Sequence, residues 1–380
     1  MESQEVVFVT SEFPPKGGGI GVYVSQLSKA LRSLGWKCWV AVWGKKQSVN
    51  RSARVIQIPF LPLPPVGDFL FASSFRRIFR DLDLEDPVIN VHSPYPQAAL
   101  APDIVTVHNV IRKQLSLGSF EGLKWLQYRL GFRVLVHNEK RLLRSPVVCT
   151  VSDAVVSELK QEYGLSRAVQ VVGNAVDDRR FVPGVKAPRP TVLYLGRLDV
   201  NKGVMGFVQM AKLVHERCPT AEFRIVGDGP ARLPLARAIR DLHLESCATM
   251  VGYIPPSAKL VEEYQRAWVY VLPSRLEGLP TTILEAMACG TPPVVRDIPN
   301  NREALSRKEG FLVDNDSPES YANPIAWALE NSTELRKTGA AARARIVEQF
   351  TWEKVARKYD AVLRTIDRKA WQSTVMLHRA

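Results

Sequence analysis

The sequence predicts two α/β domains in tandem, each built on a parallel sheet. Three observations lead there. Short apolar runs alternate with amphipathic helical stretches along the whole chain. One proline-rich stretch without periodicity, FVPGVKAPRP at 181–190, interrupts that alternation and reads as a linker. And 380 residues are too many for a single ordinary core.

The first series opens with a strand at 6–13 (VVFVTSEF) and a glycine-rich turn. Val24, Leu27, Leu31 and Leu34 then share one face of a helix over 21–34, which Gly35 ends. Strands follow at 38–43, 88–92, 103–108 and 147–152, and the apolar but proline-broken stretch 56–72 reads as a loop. After the linker a second series carries strands at 191–198, 221–229, 248–254, 268–274 and 291–297, with helices over 204–217 and 231–242. A last helix over 351–366 places Trp352, Val355, Tyr359, Val362 and Leu363 on one side. Two such sheets leave a cleft beyond the carboxyl ends of their strands, where folds of this class bind ligands.

Composition narrows the function classes. An apolar share of 46% beside 23% charged residues belongs to a packed chain. The five cysteines are far apart with no C-x-x-C pair, which argues against a disulfide framework or zinc ribbon and suits a reducing cytoplasm. The amino terminus lacks the basic start and apolar run of a signal peptide, and no stretch reaches the roughly 20 apolar residues of a spanning helix. The net charge of +13 is spread over both halves of the chain. It would suit an anionic membrane surface or a phosphorylated ligand. Nucleic acid is not expected, because no helix-turn-helix, RNA-recognition or zinc-finger signature is present.

The densest chemical signal is 268–297, WVYVLPSRLEGLPTTILEAMACGTPPVVRD. A buried strand runs into a turn and then a helix starting near Pro280 and Thr281. The N–H groups at that start suit a phosphate. Glu277 stands in the turn and Glu285 in the helix, placed to reach a sugar and a ribose. A capped surface helix with acids complementing its dipole would look the same in isolation.

The frame of Glu277 and Glu285, with EAMACGTP at 285–292, resembles the E-x7-E signature of glycosyltransferase family 4, which has the GT-B fold of two Rossmann-like domains. GRLDVNKG (196–203) resembles that family's diphosphate-binding segment. IVGDGP (225–230) resembles its turn near the nucleobase, and PPKGGGIGVYV (14–24) its amino-terminal glycine loop. TVSDAV (150–155), GNAVD (173–177) and FTWEKVARKY (350–359) fit its other landmarks in the same order.

The resemblance implies an acceptor-binding domain over 1–180, a nucleotide-sugar domain over 181–350, and a terminal helix at 351–380 that crosses back to the first domain. It implies retaining transfer of a hexosyl group from a nucleoside diphosphate sugar, UDP- or GDP-linked, to a hydroxyl of a glycan or lipid-linked acceptor. Arg197, Lys202 and the start Gly278-Leu279-Pro280-Thr281 would hold the diphosphate, without a metal or other cofactor. Glu285 would bind ribose, Glu277 would approach the sugar, and Gly18 and Gly19 would lie against the donor. Base contacts would come from backbone near Gly227, Tyr253 and Ile254. His108, which ends the strand DIVTVH, matches the family's histidine beside the sugar; His92 ends another strand and is its rival. Lys16 could add charge beside the glycines.

The segment 109–144 interleaves basic and aromatic side chains, among them Arg112, Lys113, Lys124, Trp125 and Arg129. It fits a peripheral helix on the inner face of an anionic membrane or beside the acceptor. It equally fits a core-facing helix with a solvated basic face. Three other readings of the chain remain open at this level: a GT-B scaffold that binds without turnover, a starch- or glycogen-synthase-like enzyme, and a nucleotide-sugar epimerase.

Overall fold

The computed structural model describes residues 4–14, 18–44, 48–50, 52, 54–59, 66–82, 84, 87–93, 100–113 and 123–366. Lys16 and Gly17 lie outside them, as do the side chains of Lys124, Trp125 and Arg129. The chain divides into two compact units. One comprises Met1–Val151, Val155–Gly173 and Trp352–Ala380, and the other Ser152–Ala154 and Asn174–Thr351.

The first unit holds an eight-stranded sheet. Its strands are β1 (Glu5–Thr10), β2 (Lys37–Gly44), β3 (Ser48–Asn50), β4 (Val55–Pro59), β5 (Val88–Ser93), β6 (Ile104–Val107), β7 (Val147–Thr150) and β8 (Gln170–Val171). They lie in the order β3-β4-β2-β1-β5-β6-β7-β8. All neighbours run parallel except β3 and β4. Val6, Val7, Phe8 and Val9 of β1 are fully buried, as expected of a central parallel strand covered on both faces. The helix Gly19–Arg32 buries Tyr23, Val24, Leu27 and Leu31 on one face, so the apolar spacing marks a core-facing stripe as far as Leu31; Leu34, expected on the same face, lies beyond the helix end and is 36% exposed. The helix Trp352–Arg364 packs in this unit through Val355, Ala356, Tyr359, Val362 and Leu363. Trp36 Nε1 donates to Asp360 at 2.8 Å, and the Tyr23 and Trp352 rings meet edge-on at 5.2 Å.

The stretch 56–72 is not a loop: it contains most of β4 and the start of the helix Val66–Asp81. Proline is tolerated there because Pro59 is the last residue of its strand, paired with Gly44 at the sheet's end. Ile56 and Ile58 are fully buried while Gln57 is exposed, a half-buried alternation that the prolines obscured.

The second unit holds a six-stranded parallel sheet of β9 (Thr191–Leu195), β10 (Glu222–Val226), β11 (Ala248–Gly252), β12 (Val269–Leu272), β13 (Pro293–Arg296) and β14 (Phe311–Val313). The order is β11-β10-β9-β12-β13-β14. Tyr194, Phe207, Phe223, Leu235 and Ile325 are among the residues of its main core. The helices Val204–Arg217 and Arg232–Asp241 stand within a residue of where the apolar spacing puts them.

Candidate functional site

A parallel sheet offers a ligand site beyond its strand carboxyl ends, where the order of connection reverses. In the second unit that point is β9, which has β10 on one side and β12 on the other. The loops leaving these three strands carry most of the residues singled out by the sequence.

Their backbones approach closely. Gly196 N donates to Val226 O at 3.0 Å and Leu198 N to Asp228 O at 3.0 Å, which binds the loop after β9 to the loop after β10. Gly227 has φ +140°, and a Cβ there would stand 1.9 Å from Gly196 O, so no side chain fits. Asp199 Oδ1 accepts from Asn201 N at 3.0 Å and caps the short turn Val200–Lys202. Gly203 closes that turn at φ +69°, where a Cβ would stand 2.2 Å from Pro273 O. This brings the loop after β9 against the loop after β12. Ser274 Oγ and Arg275 N both donate to Asn201 O, at 3.3 and 3.4 Å.

The two loops therefore bring Lys202 and Glu277 together, with Nζ and Oε1 2.6 Å apart. The Glu277 side chain is 8% exposed and that of Lys202 32%. Arg197 is 69% exposed and bonds Asp199 Oδ2 at 2.6 Å, while its carbonyl accepts from the Tyr194 hydroxyl at 3.0 Å. Its cation is thus on the surface of the same loop.

Beyond Glu277 the carbonyls are taken up on the protein's side. Gly278 O accepts from Asn300 Nδ2 at 2.9 Å and Ser152 Oγ at 3.3 Å, and Leu279 O accepts from Asn174 Nδ2 at 2.6 Å. The helix Thr281–Ala288 then starts at Pro280 with no side-chain cap and no acid in its first turn. Such a start presents unsatisfied N–H groups and the positive end of the peptide dipoles. Asn174, Asn300 and Ser152 are supports of this turn that the sequence did not single out one by one. For two of them the flanking segments GNAVD and TVSDAV were the only signal.

Glu285, in the second turn of that helix, accepts from the Tyr264 hydroxyl at 2.7 Å. Burial pushes its carboxyl up to about 7, against the opposing pull of the Tyr264 hydrogen bond and the Arg180 charge. Tyr253 and Ile254 follow β11, the first 60% exposed and the second buried. Among the described residues no group of three or more His, Cys, Asp or Glu side chains is arranged to hold a metal ion.

His108, Gly18 and Gly19 belong to the first unit. The amides that follow the glycine turn are not open to a ligand in the way its composition suggests. Glu12 Oε1 accepts from Ile20 N at 3.2 Å and from Gly21 N at 3.3 Å, so the chain supplies its own anion to this helix start. A Cβ at Gly18 would stand 3.0 Å from that carboxylate, whereas one at Gly19 would meet nothing within 4 Å. An acid just upstream of a glycine turn was the legible sign of this.

His108 follows β6 and is buried, and its rival His92 lies at the end of β5. They are not alternatives: His92 Nδ1 and His108 Nε2 are 2.9 Å apart in one hydrogen bond. Burial pushes the His108 imidazole down to about 3, and burial together with the facing His108 ring lowers His92 well below the usual histidine range. Both rings are neutral. The Tyr23 ring stands edge-on to His108 at 4.8 Å between centroids. Deeper on the same sheet face Thr106 bonds Asn90 at 3.0 Å and the Tyr359 hydroxyl at 2.8 Å.

Of the basic segment, Lys113 is committed inside its own unit, with Nζ 2.6 Å from the buried Glu158. Arg112 donates to the Glu162 carbonyl at 2.6 Å and lies 3.6 Å from its carboxylate. Both are structural partners of the helix Asp153–Tyr163, not unattached surface charges. Lys124, Trp125 and Arg129 fall on the helix Leu123–Leu142.

Carbonyls held back from an open helix start, with ion-paired cations beside it at a sheet reversal point, form an arrangement whose charge and geometry suit a phosphate. The comparisons with known proteins concern the chain as a whole. Residues 17–180 match Glycosyltransferase Family 4, and residues 175–345 match Glycosyl transferases group 1. The GDP-mannose-dependent alpha-(1-6)-phosphatidylinositol monomannoside mannosyltransferase of Mycobacterium tuberculosis is 26% identical, over 95% of this chain and 98% of its own. Alpha-maltose-1-phosphate synthase of Mycolicibacterium smegmatis is also 26% identical, over 95% and 99%. Among solved structures, sucrose-phosphate synthase from Thermosynechococcus elongatus superposes with a TM-score of 0.82 at 20% identity, covering 95% of this chain and 98% of that one. The Anabaena protein HepE, solved with UDP and glucose, superposes with a TM-score of 0.76 at 16% identity, over 96% and 100%. The chain belongs to glycosyltransferase family 4. It has the GT-B fold and is a retaining, nucleotide-sugar-dependent glycosyltransferase.

Proposed function

We propose that the protein moves a hexosyl group from a GDP- or UDP-linked sugar to a hydroxyl of a glycan or lipid-linked acceptor, using its own cations in place of a metal ion or cofactor. The observation that carries this reading is the Lys202–Glu277 pair at the open start of the helix Thr281–Ala288, with Arg197 on the same loop.

In retaining transfer the sugar–phosphate bond breaks as charge gathers on the leaving diphosphate. Groups fixed in advance where that charge develops supply the largest share of catalysis. Lys202 is such a group, since Glu277 holds its ammonium in place before the donor arrives. Arg197 and the N–H groups near Thr281 add two further sources of positive charge. Glu285 accepts from the ribose hydroxyls, Glu277 presents its other oxygen toward the sugar, and the backbone near Gly227, Tyr253 and Ile254 contacts the base. His108 hydrogen-bonds a sugar hydroxyl while staying neutral.

A lipid-linked acceptor at an anionic membrane surface is supported by two findings. The relative named above acts on phosphatidylinositol monomannoside, and this chain carries a net charge of +13. Association would be peripheral on the inner face: no described helix is long and apolar enough to cross a membrane.

Calorimetry against GDP, UDP and ADP tests the donor site. One nucleotide binds in the micromolar range, unaffected by EDTA, and binding is lost in Arg197→Ala and Glu285→Ala. A folded protein that binds none of the three overturns the reading in favour of a scaffold. Cosedimentation with anionic and neutral vesicles tests the membrane arm, which fails if the two retain the protein equally.

A further inference from the structure

We propose that His92 is a positioning residue for His108. It donates its Nδ1–H to His108 Nε2, so that His108 carries its own proton on Nδ1 and presents that N–H to the donor sugar. The inference rests on the assignment of His108 to the sugar.

Register brings the two rings together. His92 pairs with Thr106 across β5 and β6, and His108 lies two residues beyond Thr106 on the same face. The Phe8 ring stands edge-on to His92 at 5.6 Å, and Tyr23 leans on both imidazoles. Each ring is therefore fixed, and the 2.9 Å bond between them is fully buried.

That bond holds one proton, which can sit on either side. His92 Nε2 is buried without a hydrogen-bond partner, and this decides between the two arrangements. If His108 Nε2 were the donor, His92 Nδ1 would be its acceptor. The single ring proton of the neutral His92 would then be on Nε2, leaving a buried N–H with nothing to bond. Orphaned buried donors are the rarer and more costly defect. With the proton on His92 Nδ1, its Nε2 is only a bare lone pair. His108 Nε2 is then filled as an acceptor, and Nδ1–H is its one remaining polar group. A neutral ring locked in this tautomer can donate to a sugar oxygen but cannot take a proton from one. The proposed chemistry thus makes His108 a hydrogen-bond donor rather than a general base.

Nitrogen-15 spectra of the histidine-labelled protein read the tautomer directly. The expected wild-type spectrum shows His108 with a protonated Nδ1 and a bare Nε2. In His92→Phe that signature gives way to exchanging tautomers or to a protonated Nε2. His92→Asn, whose amide nitrogen stands where Nδ1 stood, restores it. A His108 protonated on Nε2 in the wild type, or an unchanged His108 signature in a folded His92→Phe protein, overturns the proposal. Release of the nucleoside diphosphate from the GDP- or UDP-sugar that the wild-type protein turns over adds the functional reading. His92→Phe lowers kcat about tenfold to a hundredfold with little change in donor KM, as expected for misplacement by a fraction of an ångström, and His92→Asn recovers most of it. A His108→Phe protein with wild-type release removes His108 from the sugar and fails the underlying reading. An inactive His108→Phe beside a fully active His92→Phe fails the positioning role alone.

Discussion

Replacing Lys202 with methionine separates what the Lys202–Glu277 pair does for folding from what it does for chemistry. The substitution keeps the stem and removes the charge, leaving the Glu277 carboxylate 8% exposed with its counter-ion gone. Truncating one partner of a fully enclosed pair costs about 3–5 kcal/mol. Lys202 is about one-third exposed and screened accordingly, which brings the cost to about 2 kcal/mol. For a unit of this size that lowers Tm by roughly 4–8 °C, read by calorimetric melting. Adding Glu277→Gln removes the stranded charge, so the double variant recovers most of the Tm. Turnover does not recover: loss of one fixed charge at the leaving group lowers kcat by roughly a hundredfold to a thousandfold, and the double variant stays there. A Lys202→Met protein that melts and turns over like the wild type would refute both halves of the reasoning. A double variant no more stable than the single one would refute the electrostatic account of its stability.

Two further outcomes follow from the same unit. Gly203→Ala places a Cβ 2.2 Å from Pro273 O at φ +69°, so the unit should lose at least about 2 kcal/mol and melt earlier, while Gly206→Ala, in open space on the following helix, should not. Binding of whichever nucleoside diphosphate the protein selects should depend on pH through Glu285. Its carboxyl, raised to about 7 without ligand, accepts charge-assisted hydrogen bonds from ribose only when ionised. Affinity in calorimetry should therefore fall as pH drops below about 7 and level off above it. Because the folded carboxyl holds a proton that the unfolded chain has already released, the cost to stability grows as pH rises from the ordinary carboxylate range to about 7. Glu285→Gln should flatten the binding profile and raise Tm at pH 8 but not at pH 4. A binding profile that stays steep in that variant would place the titrating group elsewhere.

Local periodicity was enough for most of the fold. β1, the helix Gly19–Arg32 and the helix Trp352–Arg364 each declare a buried face through spacing that depends only on their own residues. β4 and the start of the helix Val66–Asp81 were hidden because four prolines dominate that stretch, and whether a proline ends a strand or breaks it depends on the partner strand. At the candidate site, Arg197, Lys202, Glu277 and Glu285 stand out in the sequence because glycines, charges and strand ends occur at fixed offsets within short segments. Glu12 was overlooked because its role is to fill a helix start that composition alone presents as vacant.

The chemistry and order of the segments were thus determined by the sequence itself: a strand end followed by a cation, a turn with an acid, and a helix start without a cap. Only the tertiary structure decided which of these meet. Lys202 and Glu277 are 75 positions apart, and their contact depends on β9 and β12 being neighbours in a sheet where β10 and β11 intervene in the chain. Asn174 is held to Leu279 across 105 positions, and His92 joins His108 because two parallel strands align at that level. Periodicity carries information about an element's own buried face. It carries none about which element lies beyond that face, and pairing across a parallel sheet is set by the packing of the whole domain.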